Sequence, residues 1–299
     1  LYPGGGVCIV REGPSLLQAD CSPFDERLLP EQSALLGKEI DRNRRVHDTV
    51  EACAGRSPRE IISDSANNWL TWRKAILEEM TEINNEGPEA MRENIRVFDE
   101  GAEDYDAWYD RNPELFASEL AALKAAMPQQ GEGLEIGAGT GRFALALGIG
   151  TGVEPAEGMA QIAEARGLRV VRAVAEALPF HDACFDYAAM ITTVCFLENP
   201  TRAFEEVHRI LRPGGVFVLG ILSAKSLLGQ RYARHAAENA YFRFARFYTP
   251  EEIFALLAKS GFERTASWQT LSTANPEKFE APASGHDRGG FVVIRAVRR

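Results

Sequence analysis

From about residue 130 onward the chain alternates short apolar runs with amphipathic stretches. Short apolar runs predict strands, and apolar residues spaced three or four apart predict helices. Strands that alternate with helices are typical of an α/β fold. The expected strands are 133–136, a short strand that ends at 154, 169–174, 185–191, 216–222, 263–270 and 291–297.

Two helix starts in this region have specific capping signals. Asn199 and Pro200 stand as cap and first helical residue,. Thr249 and Glu252 have the spacing of a capping box, in which each side chain pairs with the backbone of the other, and Gly261 ends that helix,. The interruption at 223–248 predicts an insertion in the α/β alternation.

The N-terminal part has a different pattern. Apolar runs on either side of a Gly-Pro turn within 7–21 predict a β-hairpin,. Helices are expected over 30–54 and 57–83,. We therefore expect residues 1–87 to form a small module of a hairpin and helices, with an oligomerisation element, a substrate lid and an effector domain as open alternatives. Two further helices are expected over 88–127.

The stretch 133–155 organises the rest of the chain. It predicts a strand, a glycine turn, a helix and a second strand, with Gly137, Gly139 and Gly141 at every second position. Glycine allows a ligand to approach the backbone closely. Glu135 precedes the turn and Glu154 ends the next strand.

This spacing bears on the ligand. A dinucleotide fold uses G-x-G-x-x-G to hold a pyrophosphate. Here the spacing is G-x-G-x-G, and Glu135 would repel a phosphate but suit a positive charge. Glu154 is placed to accept hydrogen bonds from two ribose hydroxyls. A cationic nucleoside without phosphates is the ligand that the pattern favours, while a purely structural turn is the alternative.

The stretch closely resembles motif I of the class I S-adenosylmethionine-dependent methyltransferases, in particular the type 11 group. Residues 175–180, Ala-Glu-Ala-Leu-Pro-Phe, with Phe185-Asp186 resemble a second family signature, and 209–215 a third. The resemblance covers about 95–299. It implies that 88–299 form a Rossmann-like domain with a seven-stranded sheet, helices on both faces and a terminal hairpin at the edge.

The resemblance also implies S-adenosylmethionine as cofactor. Val174 stands where the family often has an Asp, so adenine recognition is expected from backbone groups nearby. The residues expected to hold the cofactor are Tyr105, Glu135, Gly137, Ala138, Gly139, Gly141, Glu154, Pro155, Met159, Ala175, Glu176 and Thr192.

An aromatic-rich segment precedes the glycine turn, as in methyltransferases of this type, where it folds over the cofactor. Its members are Phe98, Tyr105, Trp108 and Tyr109. Aromatic faces attract a sulfonium cation and exclude water. The alternative is that these rings seal the domain edge.

The acceptor side is expected from the ends of the strands and from 223–248. Arginines interleaved with aromatics can grip a carboxylate or phosphate beside a flat ring, although a solvated pair of amphipathic helices has the same pattern. Candidate substrate contacts are Tyr109, Cys195, Arg231, Tyr232, Arg243 and Arg246, and candidate catalytic residues are Thr193 and His235. His208 is expected to be structural.

Composition limits the class of protein. The formal net charge is −10 over 299 residues, which argues against general nucleic-acid binding,. No apolar run reaches the length of a membrane span, and no signal peptide is recognisable, so a cytoplasmic protein is expected. The five cysteines have irregular spacings that favour reduced thiols,. A metal site formed by Cys8, Cys21, Cys53 and His47 is the alternative.

The expected function is methyl transfer to a small-molecule nucleophile at N, O or S, with an anionic or aromatic acceptor and a homodimer through the N-terminal module as further expectations. One alternative is a protein or RNA substrate recognised by residues 1–87, in which acids outnumber Lys and Arg. A second is a non-catalytic adenosyl-binding protein. A nicotinamide oxidoreductase is disfavoured by the glycine spacing and by Glu135.

Overall fold

A computed structural model describes residues 89–273 and 277–299. The N-terminal hairpin, the helices over 30–54 and 57–83, the domain boundary at 87 and the alternative metal site at Cys8, Cys21, Cys53 and His47 all lie outside the described residues. Within the described ranges, no helix is long and apolar enough to cross a membrane.

One mixed sheet forms the centre of the described part. Five strands are parallel, in the order β3-β2-β1-β4-β5, and β8, β6 and β7 continue the sheet in antiparallel fashion. This architecture confirms the α/β class and the antiparallel edge. The strands are β1 Gly133–Ile136, β2 Thr151–Val153, β3 Arg169–Val171, β4 Phe185–Ile191, β5 Leu211–Leu222, β6 Phe262–Thr270, β7 Ala283–Ser284 and β8 Phe291–Arg298.

Helices cover both faces of the sheet. On one face Leu134 and Ile136 of β1 pack in a core with side chains of β4, β5 and the helices α6 and α8. On the other face, α2 and α3 cover β4, β5 and β8. The helices are α1 Glu89–Glu100, α2 Ala102–Arg111, α3 Pro113–Ala126, α4 Arg142–Ala146, α5 Glu157–Ala165, α6 Pro200–Ile210, α7 Leu227–His235 and α8 Pro250–Lys259.

The strand order creates a switch point between β1 and β4. From β1 the chain runs outward through β2 and β3, then crosses back to β4 on the other side of β1. Ligands of open α/β sheets bind at such a point, beyond the carboxyl ends of the strands. The turn after β1 and the turn after β4 therefore meet at the edge where a ligand is expected.

The structure differs from the sequence-based expectation in two details. The sheet has eight strands rather than seven, because Ala283–Ser284 in the expected loop pairs with β6. Residues 89–127 form three helices rather than two, because Gly101 separates α1 from α2. The capping box of Thr249 and Glu252 is confirmed by both of its hydrogen bonds.

Candidate functional site

A cleft lies at the switch point, between the carboxyl edge of the sheet and helix α1. It holds about 800 Å³ of empty volume, counted to its open mouth. This size is typical of pockets for small organic ligands. Its lining comes from α1, α2 and α5, from the ends of β2 and β4, from the turns after β1, β2 and β4, and from the segment after β3. The lining residues are Met91, Asn94, Ile95, Phe98, Tyr105, Gly137, Gly139, Val153, Glu154, Pro155, Ala156, Met159, Ala173, Val174, Ala175, Glu176, Ile191, Thr192, Thr193, Phe196 and Leu197.

The glycine turn forms the floor of the cleft. Gly137 has φ +70°, and a Cβ built there would lie 2.4 Å from side-chain atoms of Thr193. Gly139 has φ +53°, and its Cβ would meet nothing within 4 Å, so its backbone is open to a ligand. Position 137 requires glycine both because its φ is positive and because a Cβ would have no space. Position 139 requires glycine because its φ is positive.

Glu154 directly follows β2, and the glycine turn after β1 holds its side chain in place. Its Oε2 accepts the Gly139 N–H at 2.8 Å and its Oε1 accepts the Ala156 N–H at 2.9 Å. Burial raises the pKa of Glu154 to about 7, although the two N–H donors and Arg172 favour the charged form. Each oxygen keeps a second lone pair, so the carboxylate is fixed in place and can still accept hydrogen bonds from a ligand.

Aromatic side chains cover the cleft. The Phe98 ring lies 5.6 Å from Tyr105, 5.0 Å from Phe196 and 5.4 Å from Tyr241, measured between ring centroids. Tyr241 comes from the segment after α7 and donates a hydrogen bond from its hydroxyl to the Gly101 carbonyl at 2.8 Å. Three parts of the chain therefore meet in one cover over the cleft.

Asp106 of α2 ties this cover to the glycine turn. Its carboxylate accepts hydrogen bonds from Thr140 at 2.6 Å, from Arg142 at 2.7 and 2.9 Å, and from Arg166 at 2.7 and 2.5 Å. Burial alone would raise the pKa of Asp106, but these donors hold it well below its usual range. The network joins α2, the glycine turn and the end of α5.

Nine of the twelve expected cofactor residues line the cleft, and three do not. Ala138 and Gly141 are buried behind the turn, where Gly141 packs against Ala163. Glu135 is 1% exposed, and because it alternates with Leu134 and Ile136 its side chain lies on the other face of the sheet. The nine are Tyr105, Gly137, Gly139, Glu154, Pro155, Met159, Ala175, Glu176 and Thr192.

The position of Glu135 differs from the one expected beside the ligand. Burial raises its pKa well above the usual value, a hydrogen bond with the Ala144 backbone favours the charged form, and Glu154 raises the pKa further. Its Oε2 has no hydrogen-bond partner among the described residues. Glu135 is therefore placed to fix the start of α4 rather than to line the cleft.

The two candidate catalytic residues lie in different places. Thr193 lines the cleft, and its hydroxyl lies 3.0 Å from the Ile191 carbonyl and 3.3 Å from the Gly137 carbonyl. The Thr193 hydroxyl therefore donates its proton within the turn region and links the ends of β1 and β4. His235 ends α7 with an exposed side chain 3.4 Å from Glu238, and it does not line the cleft.

The candidate substrate residues also lie outside the lining. Tyr109 is buried against Phe143, and Cys195 is buried with its thiol 3.1 Å from the Thr192 carbonyl. Burial raises the pKa of Cys195 to about 12, so its thiol is not a nucleophile at neutral pH,.

The segment 223–248 turns its arginines outward. Arg243 stacks on Phe244, and Arg246 stacks on Tyr248 and pairs with Glu252. Arg231 is exposed on α7, where Tyr232 packs its ring against Phe242. Of the candidate substrate residues in this segment, Tyr232 is partly buried and the three arginines are exposed.

Sequence reasoning anticipated Phe98 but missed the other residues that α1 contributes to the cleft. Met91, Asn94, Ile95 and Phe98 line the cleft from one face of this helix. Their spacing of three, one and three residues is an amphipathic signal that could have identified the face. Asn94 is 8% exposed, so its amide is largely withdrawn from solvent.

The charge of the lining decides the class of ligand. Glu154 and Glu176 are the ionisable acids of the lining, and the lining residues include no Lys or Arg. A pyrophosphate would find no cationic partner here, whereas a cationic nucleoside meets two carboxylates, an open glycine turn and aromatic rings. The residues present therefore fit S-adenosylmethionine.

Comparisons with known proteins agree with this geometry. Residues 134–219 match the family model for a methyltransferase domain. An uncharacterized protein of Methanocaldococcus jannaschii is 40% identical over 206 residues, which are 68% of this chain and 100% of the relative. The malonyl-[acyl-carrier protein] O-methyltransferase of Geobacter sulfurreducens is 32% identical over 188 residues, 57% of this chain and 70% of the relative.

A solved structure extends the similarity to three dimensions. The crystal structure of an S-adenosylmethionine-dependent methyltransferase from Thermotoga maritima, described as a possible histamine N-methyltransferase, has 40% identity and a TM-score of 0.66. The alignment covers 69% of this chain and 100% of that one. Fold and site thus define a Rossmann-like methyltransferase. The chain belongs to the class I S-adenosylmethionine-dependent methyltransferases, and S-adenosylmethionine is its cofactor.

Proposed function

We propose that the protein transfers the methyl group of S-adenosylmethionine to a small-molecule nucleophile. The observation that carries this proposal is the cover over the cleft, in which Tyr241 is hydrogen-bonded to the Gly101 carbonyl and packs against Phe98. A cleft whose mouth is narrowed by side chains favours a small acceptor that fits inside it. A flat macromolecular surface would need an open groove at the same place.

The lining residues have distinct roles in this proposal. Glu154 accepts hydrogen bonds from the ribose hydroxyls, and Met159 packs against the adenosine. Backbone groups near Val174, Ala175 and Glu176 receive the adenine, while Gly137 and Gly139 let the methionine part approach the turn. Glu135 acts indirectly, by holding the start of α4.

The cofactor supplies an activated methyl group, so the protein's task is positioning and desolvation. Tyr105 and Phe98 exclude water from the methyl end of the cleft and present ring faces to a cation. Thr192 and Thr193 stand at the end of β4, where the acceptor enters. No side chain of the lining is proposed as a nucleophile.

A macromolecular acceptor is the second candidate. Four arginines of 223–248 face solvent: Arg231, Arg234, Arg243 and Arg246. An exposed cationic surface suits an acidic partner, and the Geobacter relative acts on an acyl group attached to a carrier protein. If these arginines serve catalysis, neutralising two of them will lower turnover of a carrier-bound acceptor but not of a free one.

Calorimetric titration tests the cofactor part of the proposal. Wild type should bind S-adenosylmethionine and S-adenosylhomocysteine but not NAD. Glu154→Ala should lose the adenosyl ligands, whereas Glu205→Gln, a charge change at an exposed position of α6, should bind them as wild type does. Equal binding by wild type and Glu154→Ala would remove Glu154 from the site. Production of S-adenosylhomocysteine with free amines, alcohols, thiols and acids then tests the acceptor class.

A further inference from the structure

Asn94 brings an uncharged amide into the cleft. It lies on α1, lines the cleft and is 8% exposed. The other lining residues of this helix, Met91, Ile95 and Phe98, are apolar. In the part of the chain that the structure describes, no hydrogen bond to the Asn94 side chain is found. One face of α1 therefore carries a single polar side chain, buried and directed into the cleft without a partner.

The other polar side chains of the lining are engaged within the protein. Each has a hydrogen-bond partner there, and they are Tyr105, Glu154, Glu176, Thr192 and Thr193. A buried amide without a partner costs stability, because its donor and its acceptor both lose water. Leu at position 94 would serve the packing of α1 better than Asn does. The position therefore points to a ligand that pairs with the amide.

The location of Asn94 along α1 indicates which part of the ligand it meets. Phe98 lies against Tyr105, at the end of the cleft where the methyl group is expected. Asn94 stands one helical turn before Phe98, about 6 Å further along the helix axis. The adjacent Ile95 packs against the cluster that contains Ala156 and Met159, beside the expected adenosine. Asn94 is thus displaced from the methyl end toward the adenosine end.

The wall at the adenosine end has few polar side chains to offer a purine. Ala173, Val174 and Ala175 contribute backbone groups, and Glu176 already accepts two backbone N–H groups with its Oε1. Adenine carries an amino donor next to a ring-nitrogen acceptor. A side-chain amide has an acceptor and a donor at the matching spacing, whereas a carboxylate could pair only with the amino group.

We infer that Asn94 binds the adenine of S-adenosylmethionine, with its Oδ1 accepting from the 6-amino group and its Nδ2 donating to the adjacent ring nitrogen. This inference rests on the proposed function and adds a side chain to the backbone groups near Val174 that receive the base. Asn94 is then a specificity-determining residue that selects adenine over purines without a 6-amino group. Its effect falls on cofactor binding, because it lies away from the methyl end.

The test compares two ligands that differ only in the 6-amino group. They are S-adenosylhomocysteine and its analogue with unsubstituted purine in place of adenine. Each is titrated by calorimetry into the full-chain wild type, Asn94→Leu and Asn94→Ala. Met91→Leu, an exchange of apolar residues on the same face of α1, is the matched control. Urea unfolding without ligand gives the stability of each protein.

Wild type should bind S-adenosylhomocysteine about 5- to 20-fold more tightly than the purine analogue, the effect of one hydrogen bond to a buried amide. Asn94→Leu and Asn94→Ala should lose at least about fivefold of that preference, because the partner of the amino group is gone. Met91→Leu should keep the wild-type preference. Without ligand, Asn94→Leu should unfold at a higher urea concentration than wild type, since it removes an unpartnered buried amide.

Three results would overturn the inference. The first is equal affinity of wild type for the two ligands. The second is equal weakening of both ligands in the Asn94 variants, which would place the amide away from the 6-amino group; a lower urea midpoint in Asn94→Leu would then assign Asn94 a structural role. The third is unchanged binding of S-adenosylhomocysteine in both variants.

Two further outcomes are recognised separately. If wild type binds neither ligand, the proposed function is itself refuted, and this is known before any variant is made. If Asn94→Leu does not fold, Asn94→Ala decides, because alanine adds no bulk and has the highest helix propensity. The preference between the two ligands is the deciding quantity in each case, since a general change in the shape of the cleft would alter both affinities alike.

Discussion

The Tyr241 hydroxyl lies 2.8 Å from the carbonyl oxygen of Gly101 and joins the segment after α7 to the junction of α1 and α2. The absence of a side chain at Gly101 makes room for this contact, since a Cβ there would lie 2.4 Å from the Tyr241 hydroxyl oxygen. Gly101 thus has two effects: it divides the predicted single helix, and it admits the ring that completes the cover.

Gly101→Ala should open the cover without harming the helices, because φ at Gly101 is −101° and suits any residue. Tyr241 must move, and its contacts with Phe98 and Tyr105 go with it. We expect adenosyl ligands to bind roughly 5- to 10-fold more weakly, from about 1 kcal/mol of lost hydrogen bond and contact. Tyr241→Phe keeps the ring and should show a smaller loss; wild-type affinity in Gly101→Ala would mean that the cover does not hold the ligand.

Gly137→Ala should abolish cofactor binding. The substitution places a methyl group 2.4 Å from Thr193 and forces alanine into φ +70°, a strain on the order of 1 kcal/mol,. Gly148→Ala is the matched control, because it has φ +76° with nothing within 4 Å of the new Cβ. Calorimetry should give an affinity loss of about 100-fold or more for Gly137→Ala and none for Gly148→Ala. Similar effects in the two variants would assign the loss to backbone strain alone.

Asp106→Asn should destabilise the protein by on the order of 2–3 kcal/mol, because two guanidinium groups lose their shared counter-charge,. Urea unfolding measures this change. Asp110→Asn removes a charge that also pairs with Arg142 but is 66% exposed, and should cost less than about 0.5 kcal/mol,. A cofactor affinity lowered in Asp106→Asn alone would show that the network positions the glycine turn; equal stabilities of the two variants would contradict its structural importance.

The charge of Asp106 also predicts how the free energy of unfolding changes in acid. Its pKa is depressed in the folded protein, so its contribution is present above the unfolded value near 4 and is lost as the pH falls below that,. The difference in unfolding free energy between wild type and Asp106→Asn should therefore shrink between about pH 4 and pH 2. A difference independent of pH would mean that the charge of Asp106 is not what matters.

Residues whose role depends on backbone geometry could be predicted from the sequence. Gly137 and Gly139 sit in a turn that requires positive φ, and Glu154 and Thr192 follow strands whose carboxyl ends must meet at the switch point. Hydrophobic periodicity fixed the order of strands and helices for the same reason. In these cases local sequence and global topology impose the same position.

Side-chain direction could not be predicted in the same way. Glu135 alternates with Leu134 and Ile136, so its side chain lies on the other face of the sheet. The sequence does not show that α4 and Tyr109 cover that face and bury the carboxylate. Asp106 is a single acid in a helix rich in acids, and nothing in its spacing separates it from solvated neighbours. Its role arises from contacts with residues 34 to 60 positions away.

Cofactor affinity should rise with pH through about 7, and Glu154 is the reason. In the free protein burial raises its pKa to about 7. Ribose hydroxyls donate best to the charged carboxylate, so binding should lower that pKa and release a proton. Arg172 favours the charged form of Glu154, but it is present with and without ligand.

Titration of S-adenosylhomocysteine between pH 5 and 9 measures this effect. Affinity should increase by up to about tenfold per pH unit below 7 and level off above, with proton release confined to the lower range. Glu154→Gln should bind weakly at every pH and release no proton, whereas Glu205→Gln, at an exposed position of α6, should keep the wild-type profile. A flat wild-type profile would mean that Glu154 is already charged in the free protein, held so by the N–H groups of Gly139 and Ala156.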